Sequence, residues 1–222
     1  MERVLEPEVM DTWEEAIDYD AMDFTEVNTA FAKEAIALCP TEQCLVLDAG
    51  TGTGRIPVLL GQMRPQWQLM AIDLAQNMLK IAAQHIQQAG LYEQISLALV
   101  DAKQLPYADG MFDLVISNSL IHHLPDPVPF FQEIKRVTKA NSGLLIRDLL
   151  RPVDETTMNA LVDSIGNEFD HRQQKLFRDS LHAALTLNEV NQLVTSVGLV
   201  GVRVYQSSDR HWTMERSCHV SI

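Results

Sequence analysis

The run Asp48-Ala49-Gly50-Thr51-Gly52-Thr53-Gly54 sets an acidic side chain beside three glycines at alternating positions. Glycine lets a backbone turn sharply and approach a ligand closely. With apolar Val46-Leu47 before it and a helical pattern behind, such a turn builds a small-molecule cradle at the carboxyl edge of an α/β sheet. Two further aspartates close short apolar runs. Asp73 follows Leu69-Met70-Ala71-Ile72, and Asp101, with Ala102 after it, follows Ile95 to Val100. A single aspartate at a strand end is ordinarily a turn former or helix cap. Three of them, each closing its own predicted strand, are poorly explained by independent capping.

The glycine spacing excludes two phosphate-binding readings. The dinucleotide fingerprint G-x-G-x-x-G meets Arg55 or Pro57 where its third glycine belongs. The phosphate loop G-x-x-x-x-G-K-[ST] fails because no Gly-Lys pair follows.

What remains, acidic-x-Gly-x-Gly-x-Gly, resembles motif I of the class I S-adenosylmethionine-dependent methyltransferases. The order of the later segments supports the resemblance. Asp73 stands 25 positions after Asp48, one helix and one strand on, where Rossmann-like units hold ribose hydroxyls. Leu74 follows it, and Asn77-Met78-Leu79 matches the Met-Leu pair of the next helix in this family. Phe112-Asp113-Leu114-Val115-Ile116-Ser117-Asn118 is similar to motif IV, with Ser119-Leu120-Ile121-His122-His123-Leu124 after it, as in the small-molecule branch. The resemblance covers roughly residues 44–146. It implies S-adenosylmethionine as cofactor, held by Asp48, Ala49, Gly50, Thr51, Gly52, Asp73, Leu74, Met78, Asp101, Ala102, Asn118 and Ser119. Asp101 would accept from the adenine amino group. Asp113, at a strand start, reads as structural.

Methyl transfer from a sulfonium is largely a matter of placing the acceptor in line with the carbon–sulfur bond. A base is needed only where the acceptor must lose a proton, so no universal catalytic residue carries over. Ligands sit at the carboxyl ends of parallel strands, and that edge supplies the candidates. His122 is the first choice for a base, since an imidazole titrates near about 6.5 and a modest environment can poise it. Asp148 is the second. Arg147 suits a substrate carboxylate. His123, and His211 and Trp212 in the turn between the last two strands, complete the acceptor set, with Tyr19 added by family analogy. A structural role competes in each case: a backbone hydrogen bond for the histidines, an ion pair with Arg147 or Arg151 for Asp148.

The elements that must position these residues follow from periodicity. Residues 11–40 read as helical, with Phe24, Val27, Phe31, Ala35 and Leu38 on one face and Pro40 as the stop. Strands at 44–48, 68–73, 95–100, 113–118 and 143–149 alternate with helices at 53–64, 75–89 and 127–139, which implies a parallel sheet with right-handed crossovers. Two helices are expected over 154–184, with Leu161, Ile165 and Phe169 on one stripe and Phe177, Leu181 and Leu185 on another. A helix over 187–197 and strands at 200–206 and 211–220 end the chain. The resemblance implies a Rossmann-like seven-stranded α/β fold, its last strand antiparallel beside the fifth. It also implies one domain over 1–222: an N-terminal helical segment (1–43), a cofactor core (44–150), a helical cap (151–186), and a final helix with a strand pair (187–222).

The 222 residues, 46% hydrophobic, suffice for one α/β domain. A net charge of −13 argues against a basic nucleic-acid-gripping face. Cys39, Cys44 and Cys218 form an odd set without C-x-x-C spacing, so neither a zinc site nor a disulfide is expected, and no metal ligand set is assigned. A reducing, cytoplasmic setting fits. No signal peptide or membrane span is expected. The expected partner is a small-molecule acceptor, the expected state a monomer or homodimer. Two other readings stay open. One is a methyltransferase acting on RNA or protein, disfavoured by the charge and by Ser117-Asn118-Ser119-Leu120 where an N-P-P-Y-type tetrapeptide is sought. The other is a cofactor-binding regulatory module without transfer activity. A nicotinamide dehydrogenase has the wrong glycine spacing.

Overall fold

The computed structural model describes residues 1–9, 11–165 and 171–218. Seven strands form one sheet in the order β3-β2-β1-β4-β5-β7-β6. β1 (Leu45–Ala49), β2 (Gln68–Asp73), β3 (Ile95–Leu99), β4 (Phe112–Asn118) and β5 (Thr138–Leu149) pair in parallel, and β7 (His211–Arg216) runs antiparallel between β5 and β6 (Arg203–Gln206). This is the Rossmann-like methyltransferase arrangement that the sequence implied.

Side chains alternate across a strand, and the central strands are apolar on both faces, as a doubly covered parallel sheet requires. Leu47, Leu144 and Ile146 face one layer with Phe130, Phe131 and Ile134 of α5 (Val128–Val137) and Val190 of α8 (Leu187–Val197). Val46, Leu114, Ile116 and Leu145 face the other, with Phe31 and Ala35 of α2 (Thr25–Leu38), Leu60 of α3 (Arg55–Met63) and Ile86 of α4 (Gln76–Gln88). Local signals set several helix starts. α1 (Trp13–Asp20) and α8 each open on a capping box, Thr12/Glu15 and Thr186/Glu189. Asp126 Oδ1 accepts from Val128 N at the start of α5.

The expected helix over 11–40 is two, α1 and α2. β5 begins at Thr138 rather than 143, because Thr138 pairs with Phe112 before the register shifts at Leu114. β6 starts at Arg203, after Gly201 turns the chain at φ +74°. β7 ends at Arg216; the part of the expected strand at 219–220 lies outside the described residues, as does Phe169. α6 (Glu155–Ser164) and α7 (His171–Ala183) supply the two helices expected before α8.

One expectation is overturned. Cys39 and Cys218 form a disulfide, with Cα atoms 5.0 Å apart. Their 179-residue separation hid the pair from any spacing argument. Among the described residues, no helix is long and apolar enough to cross a membrane.

Candidate active site

The glycine turn leaves β1 with Gly50, Gly52 and Gly54 at φ +78°, +56° and +76°. It is stapled to the end of β2: Gly50 N and Thr51 N both donate to Ile72 O at 2.9 Å. Asp73 finishes the job, its Oδ2 accepting from Gly52 N at 2.7 Å and its Oδ1 from Ala75 N at 2.9 Å. An ionised carboxylate has about four lone-pair sites, so Asp73 shapes the turn and keeps capacity for a ligand's hydroxyls. Burial holds its carboxyl above the usual range in spite of those N–H donors. Behind the turn, buried Asp48 accepts from Thr51 Oγ1 at 2.7 Å. Burial, with Asp73 adding, pushes its carboxyl up to about 7.

An open cleft lies along this edge. Gly50, Gly52, Asp73, Leu74 and Met78 border one end, and Asp101 and Ala102 border the next stretch. Asn118, Ser119 and His123 border it below β4. Ser119 has φ +60°, outside the ordinary range for a side-chain-bearing residue. Tyr19 borders it too, its ring 3.6 Å from where a Cβ on Gly52 would stand. Burial, with Asp73 adding, pushes the Tyr19 hydroxyl up to about 12. A smaller recess shares Tyr19, Gly50 and Asn118 with the cleft and adds Thr51.

One wall of the cleft was not legible in the sequence. Glu8 and Val9 of the extended N-terminal segment border the cleft, and Lys103 Nζ pairs with both Glu8 and Asp101 beneath it. Arg3 fastens the segment, donating to Ala183 O, Leu124 O and His122 O at 2.6, 2.9 and 3.2 Å. Val4 N donates to His182 O at 3.1 Å. No described residue of α6 or α7 borders the cleft; these helices meet it through that segment. Residues 1–9 carry no periodic pattern, and only long-range contacts give them a place.

Asp148, near the end of β5, is buried against the turn after β4. Its Oδ1 accepts from His122 Nδ1 and from Leu149 N, each at 2.6 Å, and its Oδ2 from Ile121 N. Burial opposes charge on the His122 ring, but Asp148 outweighs it and holds the ring above its ordinary value. The same pairing keeps Asp148 below its usual range despite burial. Neither His122 nor Asp148 borders the cleft; His123, the next residue, does.

Three acceptor-side candidates also lie away from the cleft, as do Asp48 and Ala49 of the cofactor set. Arg147 Nε donates to Thr213 Oγ1 at 2.9 Å and its Nη2 to Glu34 Oε2 at 2.6 Å, on the α2 side of the sheet. His211 Nδ1 lies 2.9 Å from Ser208 Oγ, and burial pushes its ring down to about 4. Trp212 is fully buried in the α5/α8 layer. Ala49 is buried at the end of β1, its carbonyl accepting from Ser117 Oγ at 2.7 Å. Asp113 accepts from Leu45 N at 3.0 Å and pairs with Lys139, the structural role expected of it.

Comparison with known proteins bears on this cleft. A family model described as a methyltransferase domain matches residues 40–213. A malonyl-[acyl-carrier protein] O-methyltransferase of Geobacter sulfurreducens is 29% identical over 197 residues, covering 87% of this chain and 70% of its own length. A demethylmenaquinone methyltransferase of Lactiplantibacillus plantarum is 29% identical over 138 residues, covering 59% of this chain and 58% of its own length. The chain thus spans less than two thirds of the second relative. Among solved structures, a SAM-dependent methyltransferase from Aquifex aeolicus shares the fold at a TM-score of 0.68 and 19% identity, covering 95% of this chain and all of that one.

Proposed function

The chain belongs to the class I S-adenosylmethionine-dependent methyltransferases, and from that premise we propose that it methylates a small-molecule acceptor by in-line displacement. The observation that carries the proposal is the wall that the N-terminal segment adds: Glu8 and Val9 border the cleft and Lys103 ties Glu8 to Asp101. A cleft walled on one side by its own N-terminal segment suits a small acceptor better than a folded macromolecule. In this reading the N-terminal segment is the cap, with α6 and α7 as its buttress.

S-adenosylmethionine, when bound, supplies an electrophilic methyl group on a sulfonium. The residues present fit it. Gly50 and Gly52 leave the turn open to close approach, and a Cβ on Gly50 would meet the Leu120 side chain at 3.0 Å. Asp73 is the acceptor for ribose hydroxyls and Asp101 for the adenine amino group, with Leu74, Met78 and Ala102 as apolar walls. Asn118, Ser119 and Tyr19 complete the surround. His123 is the acceptor-side group, and His122 and Asp148 position the turn that carries it. Arg147, His211 and Trp212 act through the scaffold.

The test is formation of S-adenosylhomocysteine by purified protein with a panel of carboxylate, quinol, phenol and amine acceptors. The names of the two relatives put malonyl thioesters and demethylmenaquinones first. Turnover with one acceptor class is the expected result. Transfer only to RNA or protein overturns the small-molecule reading. Tight cofactor binding without transfer to any acceptor favours the regulatory module.

A further inference from the structure

Glu6, His122 and His123 bring three metal-type donor atoms together behind the cleft, each within 4.8 Å of the others. Glu6 Oε1 lies 3.0 Å from His123 Nδ1 and 3.5 Å from His122 Nε2. In a tetrahedral zinc site with bonds of about 2.0–2.1 Å, ligand atoms stand about 3.3–3.4 Å apart, a span that these two separations bracket. We propose that Glu6, His122 and His123 form a binding site for a divalent transition-metal ion of the zinc class.

An ordinary ion pair explains the arrangement less well. Glu6 Oε1 and His123 Nδ1 are buried, and neither has a hydrogen-bond partner despite their 3.0 Å separation. The Glu6 side chain is only 10% exposed and that of His122 5%. Leaving buried polar atoms unpaired is costly, and a shared cation would satisfy both. The surroundings are those of a metal centre. Asp148 Oδ1 accepts from His122 Nδ1 at 2.6 Å, which leaves Nε2 as the ligand atom and supplies the outer carboxylate that metal-bound histidines ordinarily have. Ser180 Oγ donates to Glu6 Oε2 at 3.2 Å, orienting Oε1 inward. Two imidazoles and one carboxylate are a zinc-type set with a fourth position to spare. His123 also borders the cleft. An ion here would therefore stand at its wall and clamp the N-terminal segment to the turn after β4.

The inference goes beyond the acceptor reading and does not rest on it. The test uses the full chain, chelator-treated and dialysed, titrated with Zn²⁺ by calorimetry and with Co²⁺ by visible absorption. The expected result is one ion per chain with tetrahedral-type cobalt bands. Glu6→Gln and His123→Gln should each weaken binding at least ~10-fold, since outer-shell partners alone are worth ~10–100-fold, and Asp148→Asn should fall within that outer-shell range. Cys44→Ser should leave binding unchanged. No stoichiometric binding overturns the site, as does binding undiminished by both Glu6→Gln and His123→Gln. Should His123→Gln fail to fold, Glu6→Gln carries the test from the extended segment. S-adenosylmethionine binding measured on the same Glu6→Gln sample separates failure of this site from failure of the methyltransferase reading.

Discussion

At the scale of single residues, the carboxylates of the cradle do two jobs. Asp73 holds Gly52 N and Ala75 N and faces the cleft. Hydrogen bonds to charged groups are worth about 1.5–3 kcal/mol, so Asp73→Asn should weaken S-adenosylmethionine binding by ~10–100-fold while the protein stays folded. Calorimetry showing unchanged affinity would remove Asp73 from the ribose role. Asp48 offers a pH test. Its folded pKa is pushed up to about 7 from an ordinary 3.8, so between these values the native state holds more protons than the unfolded chain. Its contribution to stability is then fully present below about pH 4 and lost as pH rises through 7. Subtracting the unfolding free energy of Asp48→Asn from that of the wild type, across pH 4 to 8 in urea, should give a difference that declines with pH. A flat difference would show that Asp48 is ionised throughout.

At the scale of elements, the turn into α3 is constrained both by its backbone conformation and by packing. Gly54 is left-handed, and a Cβ there would meet Ala82 Cβ of α4 at 2.8 Å. Gly90 is equally left-handed, at φ +71°, but nothing lies within 4 Å of its would-be Cβ. The two separate conformational strain from close packing. Gly90→Ala should cost only the left-handed penalty of roughly 1–2 kcal/mol. Gly54→Ala should cost that plus an overpacking penalty of about 1–3 kcal/mol, and should weaken cofactor binding by distorting the turn. Equal losses in denaturant melts would mean that α4 yields freely. The sequence announced this turn because glycine at alternating positions after a strand has few other uses. It was silent on the N-terminal wall, because residues 1–9 have no period and gain their place from Arg3 and Val4 bonding to the carbonyls of residues 122, 124, 182 and 183.

At the scale of the whole molecule, the disulfide ties the end of α2 to the chain just beyond β7. Closing so long a loop restricts the unfolded chain, and removing such a bond typically costs about 2–5 kcal/mol. Cys44 Sγ lies 3.8 Å from Cys39 Sγ, but burial pushes its thiol up to about 12, so it carries almost no thiolate for exchange. Non-reduced protein should therefore show no alkylatable thiol until unfolded, then one. Added dithiothreitol should lower the melting temperature. Intact mass showing three free thiols in air-purified protein would contradict the pairing.

The sequence by itself determined the alternation of strands and helices, the glycine turn and the order of Asp48, Asp73, Asp101 and Asn118. All of these are local: a period of two or 3.6, a glycine where the backbone must reverse, an acid where a strand ends. Only the tertiary structure decided which candidates meet. The turn after β4 presents His123 to the cleft and turns His122 toward Asp148 and Glu6. The pairing of β7 with β5 leaves His211 and Trp212 off the cleft and gives Trp212 to the core. The Cys39–Cys218 bond and the Glu6 contact join residues 179 and more than 110 positions apart. Pairings at that separation are set by how layers pack on the sheet, and spacing along the chain carries no record of it.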